Sequence, residues 1–260
     1  MLPSFMDFNI RKPSHIFSLL LLSVTLILII VLPVLSFFDA SLPSELSQMT
    51  QLPDTMKLIF EIFLLTFQLA LITVLLIFFP VIWYVLVNKL TLKEVFNRLR
   101  LRLEGIDVAF LWGIVSAVVM FGIVFLIGLI LVFMDYNVEE LSNIPNLQQY
   151  FSIPSLFLLI AIQPIAEEIF FRGFLLDKIE SLAGKSMAIV TTAVLFGLAH
   201  MSYGKIYPVI MPMIMGLILG FVVIKTKNLY SAIIAHVIFN LTAFILSILS
   251  QNLVPEALIL

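Results

Sequence analysis

The sequence predicts an all-α fold: a polytopic transmembrane helix bundle of about seven spans, or eight if its long second apolar stretch is divided. Three observations predict it. Of 260 residues, 62% are hydrophobic and 12% charged, with a mean hydropathy of +1.18; soluble domains carry about 25% charged residues. Apolar runs recur at the ~20-residue length that crosses a ~30 Å hydrocarbon core as a helix. Lysine and arginine gather in segments that fall on one side when seven spans alternate.

The first span is Ile16 to Phe38, after a polar start containing Arg11 and Lys12. It is longer than the apolar core of a signal peptide, and more spans follow, so it is expected to remain in the mature chain. Asp39 to Lys57 reads as a loop. Leu58 to Val87 reads as one tilted helix kinked near Pro80, with Glu61 as an interfacial carboxylate near one end. From Lys89 to Asp107 the pattern changes. Leu92, Val95, Phe96, Leu99 and Leu103 follow helical spacing among Lys93, Arg98, Arg100 and Arg102, as in an amphipathic helix on an anionic membrane face.

Val108 to Met134 is the third span, followed by an acidic loop containing Glu139 and Glu140. The fourth begins at Ile153 and continues beyond the membrane to a turn at Ala183-Gly184. The fifth runs from about Lys185 to His200. The sixth covers Ile206 to Ile224, with Gly216 and Gly220 spaced for close helix approach. The seventh covers Leu229 to Leu249. The whole reads as one membrane domain, 1–260. Three N-terminal spans and the 89–107 segment occupy 1–150, and a four-span core occupies 153–249.

Eleven of the 14 lysines and arginines fall on one side: Arg11, Lys12, Lys89, Lys93, Arg98, Arg100, Arg102, Lys178, Lys185, Lys225 and Lys227. That side is expected to be cytoplasmic. A net charge of −2 gives no support to nucleic-acid binding. The absence of cysteine excludes disulfides, thiol catalysis and cysteine metal sites.

The fourth span carries the sequence's chemistry. Pro164-Ile-Ala-Glu-Glu-Ile-Phe-Phe-Arg-Gly173 places two carboxylates and a guanidinium in a run otherwise apolar enough for lipid. Each such group costs about 2.5–3.5 kcal/mol at the bilayer centre, even on mild scales. If the fourth and fifth spans form a hairpin about 183–184, Glu167 and His200 are level. Ten residues separate Glu167 from Asp177, the expected membrane boundary, so Glu167 lies roughly 15 Å deep. His236 and Asn240 are four apart on the seventh span and share a face at similar depth. Glu168 and Arg172, also four apart, can pair on their own helix. Four side chains from three helices therefore converge, with the Glu168–Arg172 pair as a buttress.

A carboxylate beside an imidazole in a low-dielectric site can take a proton from water, and an imidazole with an amide can donate to a developing oxyanion. Together they make a hydrolase, with a peptide bond as the favoured target. Glu167, His200 and His236 also resemble a zinc ligand set, in which the metal would activate the water. The residues leave both modes open. A proton-coupled transporter and a non-catalytic membrane immunity or partner protein are the rival readings. No His-Glu-x-x-His, no Gly-x-Ser-x-Gly and no aspartate within a span is present to support another intramembrane protease chemistry.

Pro164–Gly173, Leu195-Phe-Gly-Leu-Ala-His200 and Ile234-Ala-His-Val-Ile-Phe-Asn240 resemble the three motifs of the CPBP family, the CAAX-protease and bacteriocin-processing (Abi) intramembrane proteases. Gly216-Leu-Ile-Leu-Gly220 resembles the same family's sixth-span pattern. The resemblance covers about 153–245. It implies an intramembrane endopeptidase similar to the type II CAAX prenyl endopeptidases, acting near the cytoplasmic face, with a prokaryotic plasma membrane as the expected location. Its expected partners are the lipid bilayer and a protein or peptide substrate, prenylated or bacteriocin-like. It implies that Glu167 activates water with His200, that Glu168 and Arg172 orient the site, and that His236 and Asn240 hold the oxyanion. The family has been described both as zinc metalloendopeptidases and as metal-independent glutamate proteases, so the resemblance implies no single cofactor.

Overall fold

The computed structural model describes residues 8–38, 53–135, 148, 150–201 and 207–253. The acidic loop with Glu139 and Glu140, Lys205 and the last seven residues lie outside the described residues, as does most of the 39–57 loop. Among the described residues every regular element is a helix. In order these are α1 (Pro13–Phe37), α2 (Asp54–Leu86), α3 (Leu92–Arg98), α4 (Ile106–Phe133), α5 (Ile153–Leu198), α6 (Tyr207–Thr226) and α7 (Tyr230–Leu253). Six of them are long and apolar enough to cross a membrane; the short α3 is the exception. The protein is an integral membrane protein.

The expected fourth and fifth spans are the two helical legs of α5, which meet at a sharp reversal and pack against each other. The fold occurs at Gly184, whose φ of 83° and ψ of 173° are non-helical and open to glycine without a Cβ penalty. In an unbroken helix Phe171 and Phe196 would stand about 37 Å apart; here their ring centroids are 5.1 Å apart. The turn predicted at Ala183-Gly184 is where the chain reverses. The second leg, residues 185–198, is only about 21 Å long at 1.5 Å per residue. That is short of a full crossing, which is why six helices satisfy the length criterion where seven spans were expected.

Prolines explain part of the helix shape. Pro80 has no N–H for the carbonyl one turn earlier, and α2 widens to π-helical winding over Thr73–Phe78 just ahead of it. α1 does the same over Ile27–Val31 ahead of Pro33. A third π-helical stretch, Ile169–Leu175 in α5, contains no proline. It begins directly after Glu168 and carries Arg172. π-Helical turns recur at functional sites because they re-aim side chains at the expense of regular hydrogen bonding.

The 89–107 segment differs from the amphipathic helix expected of it. Its helix covers only Leu92–Arg98, opened by a capping box between Thr91 and Glu94. Leu99 ends it and Arg100 takes a left-handed φ of 61°. Val95 and Leu99 are buried, whereas Leu92, Phe96 and Leu103 are exposed. Two of its arginines turn inward: Arg98 pairs with Asp177 at 2.9 Å and Arg100 with Glu180 at 2.6 Å. Neighbouring acids that helical spacing alone does not reveal take up these charges.

These contacts gather the basic segments at one end of the bundle. The Tyr84 hydroxyl donates to Asp177 at 2.8 Å, and Lys178 donates to Asn88 at 2.9 Å. The Lys178 ammonium also lies 4.3 Å from the Tyr84 ring centroid. Asn228, in the α6–α7 turn, donates to the Arg102 carbonyl at 2.9 Å, and the Leu229 N–H to the Arg100 carbonyl at 2.9 Å. Burial works against the charge on Arg98, but the Asp177 carboxylate and then the Tyr84 hydroxyl outweigh it and raise the guanidinium pKa. At the opposite end Glu61 accepts from both the backbone N–H and the hydroxyl of Ser152, at 2.8 and 2.6 Å. It thereby ties the start of α2 to the start of α5.

Candidate active site

The site is assembled on three surfaces that small residues bring close. The α6 glycines face the second leg of α5. A Cβ on Gly216 would meet the Ala193 Cα at 2.9 Å, and one on Gly220 would meet Ile189 at 3.4 Å. The GxxxG spacing is thus used between α6 and this leg. Gly113 of α4 plays the same part against α7, where a Cβ would fall 2.8 Å from Ile234. With backbones this close, polar side chains from α5 and α7 meet directly across the bundle.

At their meeting point lies a run of titratable groups. Arg172 Nη1 donates to Glu168 Oε1 at 2.8 Å, with both side chains fully buried. The same Glu168 oxygen lies 2.9 Å from His236 Nδ1. His236 Nε2 points the other way, 3.8 Å from Glu167 Oε2. Gln163, one turn before Glu167, donates its amide to Glu167 Oε1 at 2.7 Å. The order in space is therefore Gln163, Glu167, His236, Glu168, Arg172.

These contacts fix the roles of the hydrogens. An ionised Glu168 paired with Arg172 only accepts, so His236 donates from Nδ1, and in the neutral ring Nε2 is left as an acceptor. Arg172 lies 4.2 Å from the centroid of the Phe196 ring, a cation–π contact that helps hold its charge away from water. Three buried atoms here lack a hydrogen-bond partner: Glu168 Oε2, Arg172 Nε and Arg172 Nη2. Such orphans are uncommon in folded proteins and are expected where a structure serves chemistry rather than stability alone.

Residues 149–242 match the family model described as Rce1-like, type II CAAX prenyl endopeptidase Rce1-like. This segment is similar to the CAAX-protease family. The matched stretch contains both legs of α5, α6 and the first half of α7, which together carry every residue of the cluster. Comparison with curated proteins gives no match, and neither does comparison with solved structures.

Within this CAAX-protease-like segment the sequence-derived site residues are placed unequally. Glu167, Glu168, Arg172 and His236 form one contiguous group. His200 stands on the other side of an aromatic ring: its centroid is 4.6 Å from that of Phe196, which in turn is 5.7 Å from that of His236. His200 Nδ1 contacts the Phe196 carbonyl at 2.8 Å. It must donate there, which leaves Nε2 for other work. No hydrogen bond joins His200 to Glu167 among the described residues, although the two are equidistant from the Gly184 turn. Asn240, one turn beyond His236, is half-buried.

The zinc arrangement asks Glu167, His200 and His236 to converge as ligands. Among the described residues no three histidine, cysteine or carboxylate side chains are grouped in a way that could hold a metal ion. His236 spends Nδ1 on Glu168, and His200 spends Nδ1 on a carbonyl. Both contacts leave Nε2 open, as they also do in metal-bound histidines, but the three side chains are not grouped as a ligand set among the described residues.

Sequence reasoning missed Gln163 and Phe196. A signal for Gln163 was available, because a lone amide in an apolar span four residues before a carboxylate shares its helix face. Phe196 offered no signal, since one more phenylalanine among 24 carries no mark of its neighbours.

Proposed function

We propose that the protein is an intramembrane endopeptidase in which Glu167 acts as general base. The observation that carries this reading is the 3.8 Å separation of Glu167 Oε2 and His236 Nε2. It is too long for a direct hydrogen bond and suits one water held between two acceptors. Such a water donates both protons, one to each acceptor, and turns a lone pair outward. Attack on a peptide carbonyl forms the C–O bond while one water proton passes to Glu167. The oxyanion is received by the Asn240 amide, one turn along α7. As the C–N bond breaks, the proton held by Glu167 is delivered to the leaving amine. His200, with Nε2 free, borders the site and assists this transfer. Glu168 and Arg172 fix the His236 ring and its tautomer.

In this reading the substrate is a protein or peptide reaching the site from the end of the bundle where the basic segments gather, the cytoplasmic face. A prenylated carboxy-terminal peptide is the first substrate to test. In purified protein reconstituted into liposomes, Glu167→Gln is expected to lower cleavage by about 10²–10⁴-fold, the usual worth of a general base. Its melting profile should stay unchanged. Undiminished turnover in that variant sinks the reading.

One alternative draws on the same contacts. Glu167, His236 and Glu168 form an unbroken line of titratable groups, which would also suit a proton relay. A pH-gradient-driven solute flux that is lost in His236→Ala, with no peptide cleaved by the parent protein, would favour it.

A further inference from the structure

We infer that Gln163 is a positioning residue that sets which face of the Glu167 carboxylate meets the water. The inference rests on the endopeptidase reading for its consequence, but on contacts alone for its geometry. Glu167 has two oxygens with unlike surroundings. Oε1 accepts the Gln163 amide at 2.7 Å, and no other hydrogen-bond donor reaches this carboxylate among the described residues. Oε2 is turned to His236 Nε2 at 3.8 Å.

Glu168, its neighbour in sequence, has two partners, Arg172 and His236, both on Oε1. Among the described residues Glu167 has only the Gln163 amide as a hydrogen-bond donor. A glutamate has three rotatable side-chain bonds, and its terminal one is a broad torsion with no strong preference. Without the amide, nothing described keeps Oε2 rather than Oε1 towards the imidazole, or keeps the carboxylate at that distance. A misplacement of about 1 Å in such a site can cost around 10²-fold in rate.

The chemistry also explains why an amide suits this position. A lysine would place a full charge against Glu167 and compete with water for Oε2. A serine is too short to reach along one helical turn. Glutamine donates one neutral hydrogen bond, and its own carbonyl stays free to accept from a second donor. Pro164 directly follows it in a buried position and fixes φ there, which restrains the backbone between the amide and the carboxylate it holds.

The test uses full-length protein in liposomes with Gln163→Met, which keeps length and flexibility but has no donor, and Gln163→Leu as a second variant. Two readouts are taken. With a cleaved peptide substrate, kcat is expected to fall 10- to 100-fold with KM within twofold and the melting profile unmoved. A purely structural Gln163 would instead lower thermal stability and leave kcat in place. Independently of turnover, the infrared difference between wild type and Glu167→Gln isolates the Glu167 carboxyl band, and that band is expected to shift in both Gln163 variants. A band at the wild-type position in both variants overturns the inference, as does unchanged kcat in an enzyme whose parent cleaves. A parent that cleaves nothing while the band shifts counts against the endopeptidase reading and keeps Gln163 as the residue that orients Glu167.

Discussion

Two polar groups sit on α5 less than three turns apart, and they are built to different standards. At the basic end of the bundle, Asp177 receives Tyr84 and Arg98, and Lys178 rests on Asn88 and the Tyr84 ring. Deeper in the helix, Glu168 receives Arg172 and His236 on a single oxygen. Both arrangements pair an arginine with a carboxylate. They differ in what is left over. Among the described residues of the clamp and its neighbouring Arg100–Glu180 pair, the unpartnered buried atom is Arg100 Nη1, on a side chain that remains 16% exposed. Around Glu168 three atoms of two fully buried side chains are unpartnered. A clamp selected to hold helices satisfies its groups; the deeper cluster leaves polar capacity unused where lipid and protein offer nothing to replace it.

This difference makes the sharpest prediction. Arg172→Leu strands the Glu168 carboxylate in an apolar setting and should destabilise the protein by about 3–5 kcal/mol, the usual effect of breaking a buried pair from one side. Arg98→Leu should destabilise by less, because Tyr84 still donates to Asp177 and the pair sits nearer water. The double replacements separate the two groups further. Replacing both Glu168 and Arg172 with leucine should restore much of the lost stability yet leave no cleavage. Replacing both Arg98 and Asp177 with leucine should restore stability and retain cleavage. Denaturant unfolding in detergent with a parallel cleavage assay reads both. If the Glu168/Arg172 double variant cleaves, the two groups are equivalent ties and the comparison collapses.

Much of this contrast was readable in the sequence, and the unreadable part has a clear cause. Glu167, Glu168, Arg172 and His236 announce themselves because ionisable groups in apolar runs are conspicuous. The turn expected at Ala183-Gly184 is where the chain reverses, and it is the turn that sets which residues stand at one height. Level placement did not tell which side chains would touch. Glu167 and His200 are expected at one depth, but Glu167 meets His236 where α5 winds as a π-helix just beyond Glu168 and where α4 closes on α7 at Gly113. Neither leaves a periodic mark. The clamp was illegible for another reason: Tyr84, Asn88, Arg98 and Asp177 come from three distant segments, each ordinary for a membrane boundary. Helical spacing in 89–107 pointed to a longer surface helix, because period alone cannot see acids waiting on α5.

A smaller effect is expected at Gly216, which bears on both groups. Its missing Cβ leaves room for the Ala193 backbone at 2.9 Å and for Arg172 Nη2 at 3.2 Å. Gly216→Ala should destabilise by about 1–3 kcal/mol, as overpacking does. It should also lower cleavage, by forcing Arg172 off its place over Phe196. Gly220→Ala, facing Ile189 at 3.4 Å, is the control, with room for a methyl group and no contact to the arginine. Equal losses of activity in the two variants would mean that helix spacing alone, and not the arginine's position, supports the site.

The mildest prediction concerns the far edge of the clamp. Glu94 is fully exposed, and its carboxyl pKa is lowered by the Thr91 backbone N–H and then the Thr91 hydroxyl. A lowered folded-state pKa contributes stability that is present above the ordinary value of 4.5 and fades as pH falls through the lowered one. Hydrogen exchange in α3 should therefore quicken on acidification through that window, and Thr91→Ala should remove the pH dependence by removing the capping box. Because α3 carries Arg98, its fraying loosens the clamp at one contact, while Tyr84 continues to hold Asp177. Cleavage by Thr91→Ala at neutral pH should accordingly stay near the parent's. A loss as large as that from Arg172→Leu would show that the capped turn and the intramembrane cluster act as one unit, and that the boundary drawn between them on α5 is misplaced.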